Sequence, residues 1–134
     1  MKLIEVIKGI ATSEETKNTV INIAKELGKE PVEVEEAPGF VVNRMLIPMI
    51  NEAIGIYAEG IATVEDIDLA MKLGGANHPI GPLALADLIG NDVCLAIMDV
   101  LHTEFGDSKY RPHPLLIKMV RGKFIRKKNR ERIL

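Results

Sequence analysis

The chain has 134 residues, 47% of them hydrophobic, which is enough for one compact core and too little for two ordinary domains. No apolar run reaches transmembrane length and Glu5 interrupts the N-terminal stretch Leu3-Ile4-Glu5-Val6-Ile7, so neither a bilayer span nor a secretory leader is expected, and a cytoplasmic chain without a membrane partner is. The net charge of −2 hides an asymmetry: residues 121–132 hold seven Lys or Arg against Glu131, leaving 10 basic and 18 acidic residues elsewhere, a balance of −8.

In chain order, Met1 to Ile7 is rich in Ile, Leu and Val and reads as a short strand ending near Gly9. Thr12-Ser13-Glu14-Glu15 has the form of a capping box with Thr12 as N-cap, and Val20, Ile21, Ile23, Ala24 and Leu27 follow at helical spacing up to a C-cap glycine, Gly28. Pro31-Val32-Glu33-Val34-Glu35 alternates with period two and reads as a second strand. Two short strands make a poor sheet by themselves, so this strand-helix-strand segment is expected to be the remnant of a larger doubly wound, Rossmann-type sheet.

From Pro38 the character changes. Phe40 to Tyr57 is almost continuously apolar and reads as a buried helical region, in which Pro48 should introduce a kink or a division. Thr63-Val64-Glu65-Asp66 opens another helix with Ile67, Ala70, Met71 and Leu73 as its apolar face, ended by Gly74-Gly75. A turn follows at His78-Pro79-Ile80-Gly81-Pro82. Leu83 to Leu101 is again helical, with a break near Gly90-Asn91-Asp92 where Asn or Asp would cap the next helix, and Pro114 to Val120 forms a last one. The fold class is therefore mainly α, divided as residues 1–36 (strand-helix-strand remnant), 37–120 (all-helical domain) and 121–134 (basic, disordered tail). So many fully apolar helices exceed what a monomer of this size can bury, and a homodimer is expected.

Composition narrows the function classes. The tail Arg126-Lys127-Lys128-Asn129-Arg130-Glu131-Arg132 has no interleaved aromatic residue, and the chain has no Trp, which speaks against a nucleic-acid partner. The glycines at 55, 60, 74, 75 and 81 form no Gly-rich turn between a strand and a helix, so this chain should bind no dinucleotide cofactor alone. His78, His102 and His113 lie far apart and Cys94 is alone, so no metal is expected; the histidines read as turn or surface residues and Cys94 as a core residue. Glu5, a carboxylate among Ile, Leu and Val, is either an edge-strand residue facing solvent or a functional group. Asn43, an amide in an apolar helix, must find a partner, either a structural bond to another helix or a ligand.

Several stretches taken together carry a resemblance: Met1-Lys2-Leu3-Ile4-Glu5-Val6-Ile7, Ala37-Pro38-Gly39-Phe40-Val41-Val42-Asn43-Arg44, Glu65-Asp66-Ile67-Asp68 and His78-Pro79-Ile80-Gly81-Pro82-Leu83. In this order they resemble the C-terminal part of the 3-hydroxyacyl-CoA dehydrogenase family, most closely its bacterial 3-hydroxybutyryl-CoA branch. The resemblance implies an oxidoreductase of fatty acid or butanoate metabolism. In it an N-terminal Rossmann domain binds NAD or NADP, and a helical C-terminal domain dimerises and closes over the 3-hydroxyacyl-CoA substrate. It implies that Glu5 orients a catalytic His and that Asn43 contacts the substrate. The family His and Ser belong to a segment preceding the equivalent of Met1, so the 134 residues alone are expected to be inactive unless a separate NAD-binding domain complements them. Gly74-Gly75 is one residue longer than the family's usual turn.

The family ending, Gly-Arg-Lys-Thr-Gly-Arg-Gly-Phe-Tyr, is replaced here by residues 126–134. Written with chosen codons as AGG AAG AAA AAC AGG GAG AGG ATT TTA and read a nucleotide later, this stretch regains that ending. The expectation is a frameshifted tail, which the gene sequence tests. A stand-alone acyl-CoA-binding module and a dimeric scaffold remain as alternatives.

Overall fold

A computed structural model of the chain describes residues 1–125. It separates into two compact units, residues 1–44 and the chain from Met45 onward. In the first unit, strand β1 (Leu3–Lys8) and strand β2 (Glu30–Glu35) pair in parallel with Leu3 opposite Glu30 and Lys8 opposite Glu35, joined by helix α1 (Glu14–Glu26). The parallel pairing requires such a crossover, and the strand-helix-strand expectation is met.

The start of α1 differs from the expectation by one residue. Ser13, not Thr12, is the N-cap, its hydroxyl accepting from Thr16 N at 3.1 Å. Thr12 Oγ1 is already committed, accepting from Gly9 N at 3.1 Å to close the turn out of β1. At the other end Gly28 adopts a left-handed φ of 73°, Gly28 N donates to Lys25 O, and Lys29 N donates to Ala24 O. That is the doubly bonded glycine ending expected of it. Lys17 bridges Glu14 and Glu33, and Lys8 pairs with Glu14, pinning α1 to the carboxyl ends of both strands. Of the apolar positions of α1 only Ala24 is buried, whereas Val20, Ile23 and Leu27 are exposed.

Helix α2 (Val42–Ala58) leads into the second unit, which continues with α3 (Val64–Leu73), α4 (Pro82–Ile89), α5 (Asn91–Phe105), a short 3-10 turn (Ser108–Tyr110) and α6 (Pro114–Arg121). Its core is built from Ile47, Ile50, Ala53 and Ile54 of α2, Ile67 of α3, Leu83 and Ala86 of α4, Cys94, Met98 and Leu101 of α5, Tyr110, and Leu116 and Met119 of α6. Pro48 does not divide α2, which runs through it as one helix. Packing on both sides, at Ile47 and Ile50, compensates for the single missing backbone donor.

Three polar side chains lock the helices of this unit. Thr63 caps α3 as expected, through Asp66 N. Buried Asn51 donates to Arg111 O at 3.1 Å and accepts from His113 N at 2.7 Å, fixing the segment before α6. His113 then caps that helix, Nδ1 accepting from Leu115 N. The break at Gly90 occurs where expected, at a positive φ of 110°, but neither Asn91 nor Asp92 caps α5. Asn91 faces the other way: its backbone N donates to Ile125 O and its side chain to Phe124 O. Residues 121–125, assigned from sequence to the basic tail, thus include the end of α6 and a turn held by Asn91. The remaining residues of that tail, with the frameshift expectation, lie outside the described residues.

Candidate functional site

The two residues singled out from sequence both lie in the first unit. Glu5 sits in the middle of β1, half-buried, between Ile4 and the buried Val6. Its carboxylate does not simply face solvent: Oε1 accepts from Val41 N at 2.9 Å and from Val42 N at 3.2 Å. These are donors of the first turn of α2, which no local side chain can satisfy because Gly39-Phe40-Val41 contains no Ser, Thr, Asn or Asp. A negative carboxylate is favourable there because the helix dipole places partial positive charge at that end.

The geometry depends on the turn before α2. Gly39 and Phe40 are both left-handed, with φ of 75° and 51°. For Phe40 this is a costly conformation, and it turns the N–H groups of Val41 and Val42 onto one oxygen. Sequence reasoning did not find this turn or the role of Glu5 in it. The absence of a capping residue ahead of an apolar helix was the signal available, since unsatisfied donors imply an acceptor from elsewhere in the fold.

Asn43 lies in the first turn of α2, next to Val42, half-exposed. Among the described residues no hydrogen bond is made by its side chain or by Glu5 Oε2. Among the described residues, the interhelical bond that was the alternative for Asn43 is not seen. The first unit therefore presents a fixed carboxylate with one oxygen left over and, one residue past its anchor, an amide able both to donate and to accept.

Four helix N-termini among the described residues carry or meet carboxylates. The first turn of α1 carries Glu14 and Glu15, that of α3 carries Glu65 and Asp66, and the N-termini of α2 and α4 are filled by the carboxylates of Glu5 and Asp68. A phosphate approaching any of these would meet like charge. No group of three or more His, Cys, Asp or Glu among the described residues is arranged to hold a metal. Cys94 is buried in the core of the second unit, and desolvation, with the negative charge of Asp92 adding to it, pushes its thiol up to about 11. It is an inert core thiol, as expected. No described helix is long and apolar enough to cross a membrane.

The described chain is thus a parallel strand-helix-strand unit, with a strand carboxylate bound to the backbone at the start of α2, followed in sequence by a helical unit. Comparison with known proteins finds two family models along the chain. The model of the 3-hydroxyacyl-CoA dehydrogenase NAD-binding domain matches residues 1–37 and that of the C-terminal domain matches residues 39–134. The chain belongs to the 3-hydroxyacyl-CoA dehydrogenase family. It is 65% identical over 97% of its length to the 3-hydroxybutyryl-CoA dehydrogenase of Clostridioides difficile, of which it covers 46%. It is 60% identical over 96% of its length to a probable 3-hydroxybutyryl-CoA dehydrogenase of Bacillus subtilis, of which it covers 45%. The crystal structure of (S)-3-hydroxybutyryl-CoA dehydrogenase from Ralstonia eutropha superposes on 99% of the chain with a TM-score of 0.94 at 53% identity, the chain covering 47% of it. The chain thus spans about half the length of the relatives it matches.

Proposed function

We propose that this chain supplies the substrate side of an NAD-dependent 3-hydroxyacyl-CoA dehydrogenase acting on short substrates such as 3-hydroxybutyryl-CoA. The observation that carries the reading is that Glu5, anchored through Oε1, and the Asn43 amide next to its anchor leave Oε2 and the amide without a hydrogen-bond partner among the described residues. In this reading Oε2 accepts from a catalytic imidazole and stabilises the imidazolium formed when that base takes the proton of the substrate's 3-hydroxyl. Asn43 binds the substrate beside the reacting carbon. The base and the cofactor belong to an NAD-binding domain, which also covers Val20, Ile23 and Leu27, left exposed on α1.

The reading predicts that the 134 residues alone do not oxidise 3-hydroxybutyryl-CoA with NAD. Mixed with the separately expressed NAD-binding domain of a related enzyme, they do. NADH formation by the mixture, absent for each component, supports the assignment. Silence of the mixture, despite demonstrated association of the two parts, would sink it.

A homodimer through the helical unit is the second part of this reading. It is supported by Leu69 and Leu73 of α3, Leu88 of α4 and Val100 of α5, all large, apolar and exposed.

A further inference from the structure

Glu5 has two oxygens with different duties, and Oε1 is the one whose partners are visible. Those partners, Val41 N and Val42 N, are the amides immediately preceding Asn43. The chain reaches them through Gly39 and Phe40, both left-handed, a conformation that glycine takes freely but that is costly for Phe40 and persists there only where the surrounding structure holds it. No side chain between residues 39 and 41 has the chemistry of a cap, and Asn43 is itself tied by no side-chain bond among the described residues. The direction in which its amide points is thus inherited from the backbone of the first turn of α2.

We infer that Glu5 is a positioning residue for Asn43 as well as for the catalytic base: its carboxylate holds the left-handed Gly39–Phe40 turn and the first turn of α2, and thereby aims the Asn43 amide at the substrate. One carboxylate then fixes the acid-base group with one oxygen and the substrate-binding group with the other, so that neither moves without the other. The inference rests on the reading of Asn43 as a substrate contact, but its structural half does not.

Glu5→Gln and Glu5→Ala separate the two duties. Glutamine keeps an oxygen that accepts from Val41 and Val42 while losing the charge that favours an imidazolium, whereas alanine loses both. In the chain by itself, amide exchange at Val41 and Val42 should stay within a few-fold of the parent in Glu5→Gln and rise roughly ten-fold or more in Glu5→Ala, as for loss of an N-cap. Nitrogen relaxation of the Asn43 side-chain amide should show it more mobile in Glu5→Ala only. In the complemented enzyme, Glu5→Gln should lower kcat with KM kept, and Glu5→Ala should also raise KM. Asn43→Ala should add little to KM in the Glu5→Ala background, because the two act in series. Unchanged exchange and unchanged Asn43 mobility in Glu5→Ala would overturn the inference. They would do so whether or not the mixture is active, so its failure is distinct from failure of the proposed function.

Discussion

The charge on Glu14 shows how much one exposed residue can carry. Side-chain hydrogen bonds from Lys17 and then Lys8, with their charges, lower its pKa from 4.5 to about 2, and the same cluster raises Lys17 above its usual value. A carboxylate whose folded-state pKa is depressed contributes stability that is present above the unfolded value and is lost as pH falls toward the folded one. The first unit should therefore lose this contribution between about pH 4.5 and pH 2. Glu14→Gln should unfold more easily than the parent at pH 7, by a small margin because the pairs are solvent-exposed. The margin should close as both are titrated to pH 2, and thermal melts across that range followed by circular dichroism check it. A margin independent of pH would show that the charge network is not its source. The full network was not foreseen from the sequence, because only Glu14 and Lys17 are neighbours on one helix, while Lys8 and Glu33 join them once the strands pack with α1.

At the scale of elements, the His78–Leu83 turn and the Glu65–Asp68 stretch, two of the segments on which family membership was recognised, turn out to be one device. The carboxylate of Asp68, on α3, accepts from Leu83 N at 2.8 Å and Ala84 N at 3.0 Å, capping α4 from outside. Gly81 is needed there for space and not for its backbone angle: its φ is an ordinary −70°, but a Cβ on it would stand 2.3 Å from Asp68 Cβ and Cγ. Asp68→Ala should cost about 1 kcal/mol, as for other N-caps. Gly81→Ala should cost about 2 kcal/mol or more by overpacking. Because the conflict includes Asp68 Cβ, which alanine retains, the double substitution should not regain the loss. Urea denaturation of the three variants tests this, and recovery in the double variant would place the conflict at the carboxylate alone. The misassigned caps have a related origin. Ser13 displaced Thr12 because a turn claimed the threonine hydroxyl, and Asn91 left α5 uncapped because the carbonyls of Phe124 and Ile125 required its donors.

For the molecule as a whole, the exposed leucines decide the prediction. Leu73 and Leu88 keep 73% and 70% of their surface accessible in the single chain, and burial of such side chains stabilises by about 1.5–3 kcal/mol each. The proposed homodimer should appear in sedimentation equilibrium, with a melting temperature that rises with protein concentration. Leu73→Glu combined with Leu88→Glu should shift the chain toward monomer while leaving the helical content intact. A parent chain that stays monomeric at its highest soluble concentration would remove the dimer from the proposed function. The expected homodimer came from the same arithmetic of apolar content, but which residues stay uncovered emerged only from the packing.

The sequence by itself determined the elements and the family. Periodicity, capping residues and glycine placement are local properties, and the strand-helix-strand start, the helical remainder, buried Cys94 and the helix cap at Thr63 are all written in them. It also pointed to Glu5 and Asn43, through a charge and an amide set in apolar surroundings. Tertiary structure alone decided how these residues are used. Glu5 is 36 residues from Val41 in sequence, and Asn51 is 62 from His113. A bond over such a span depends on the packed fold to bring donor and acceptor within hydrogen-bond reach, and no local pattern of residues encodes it.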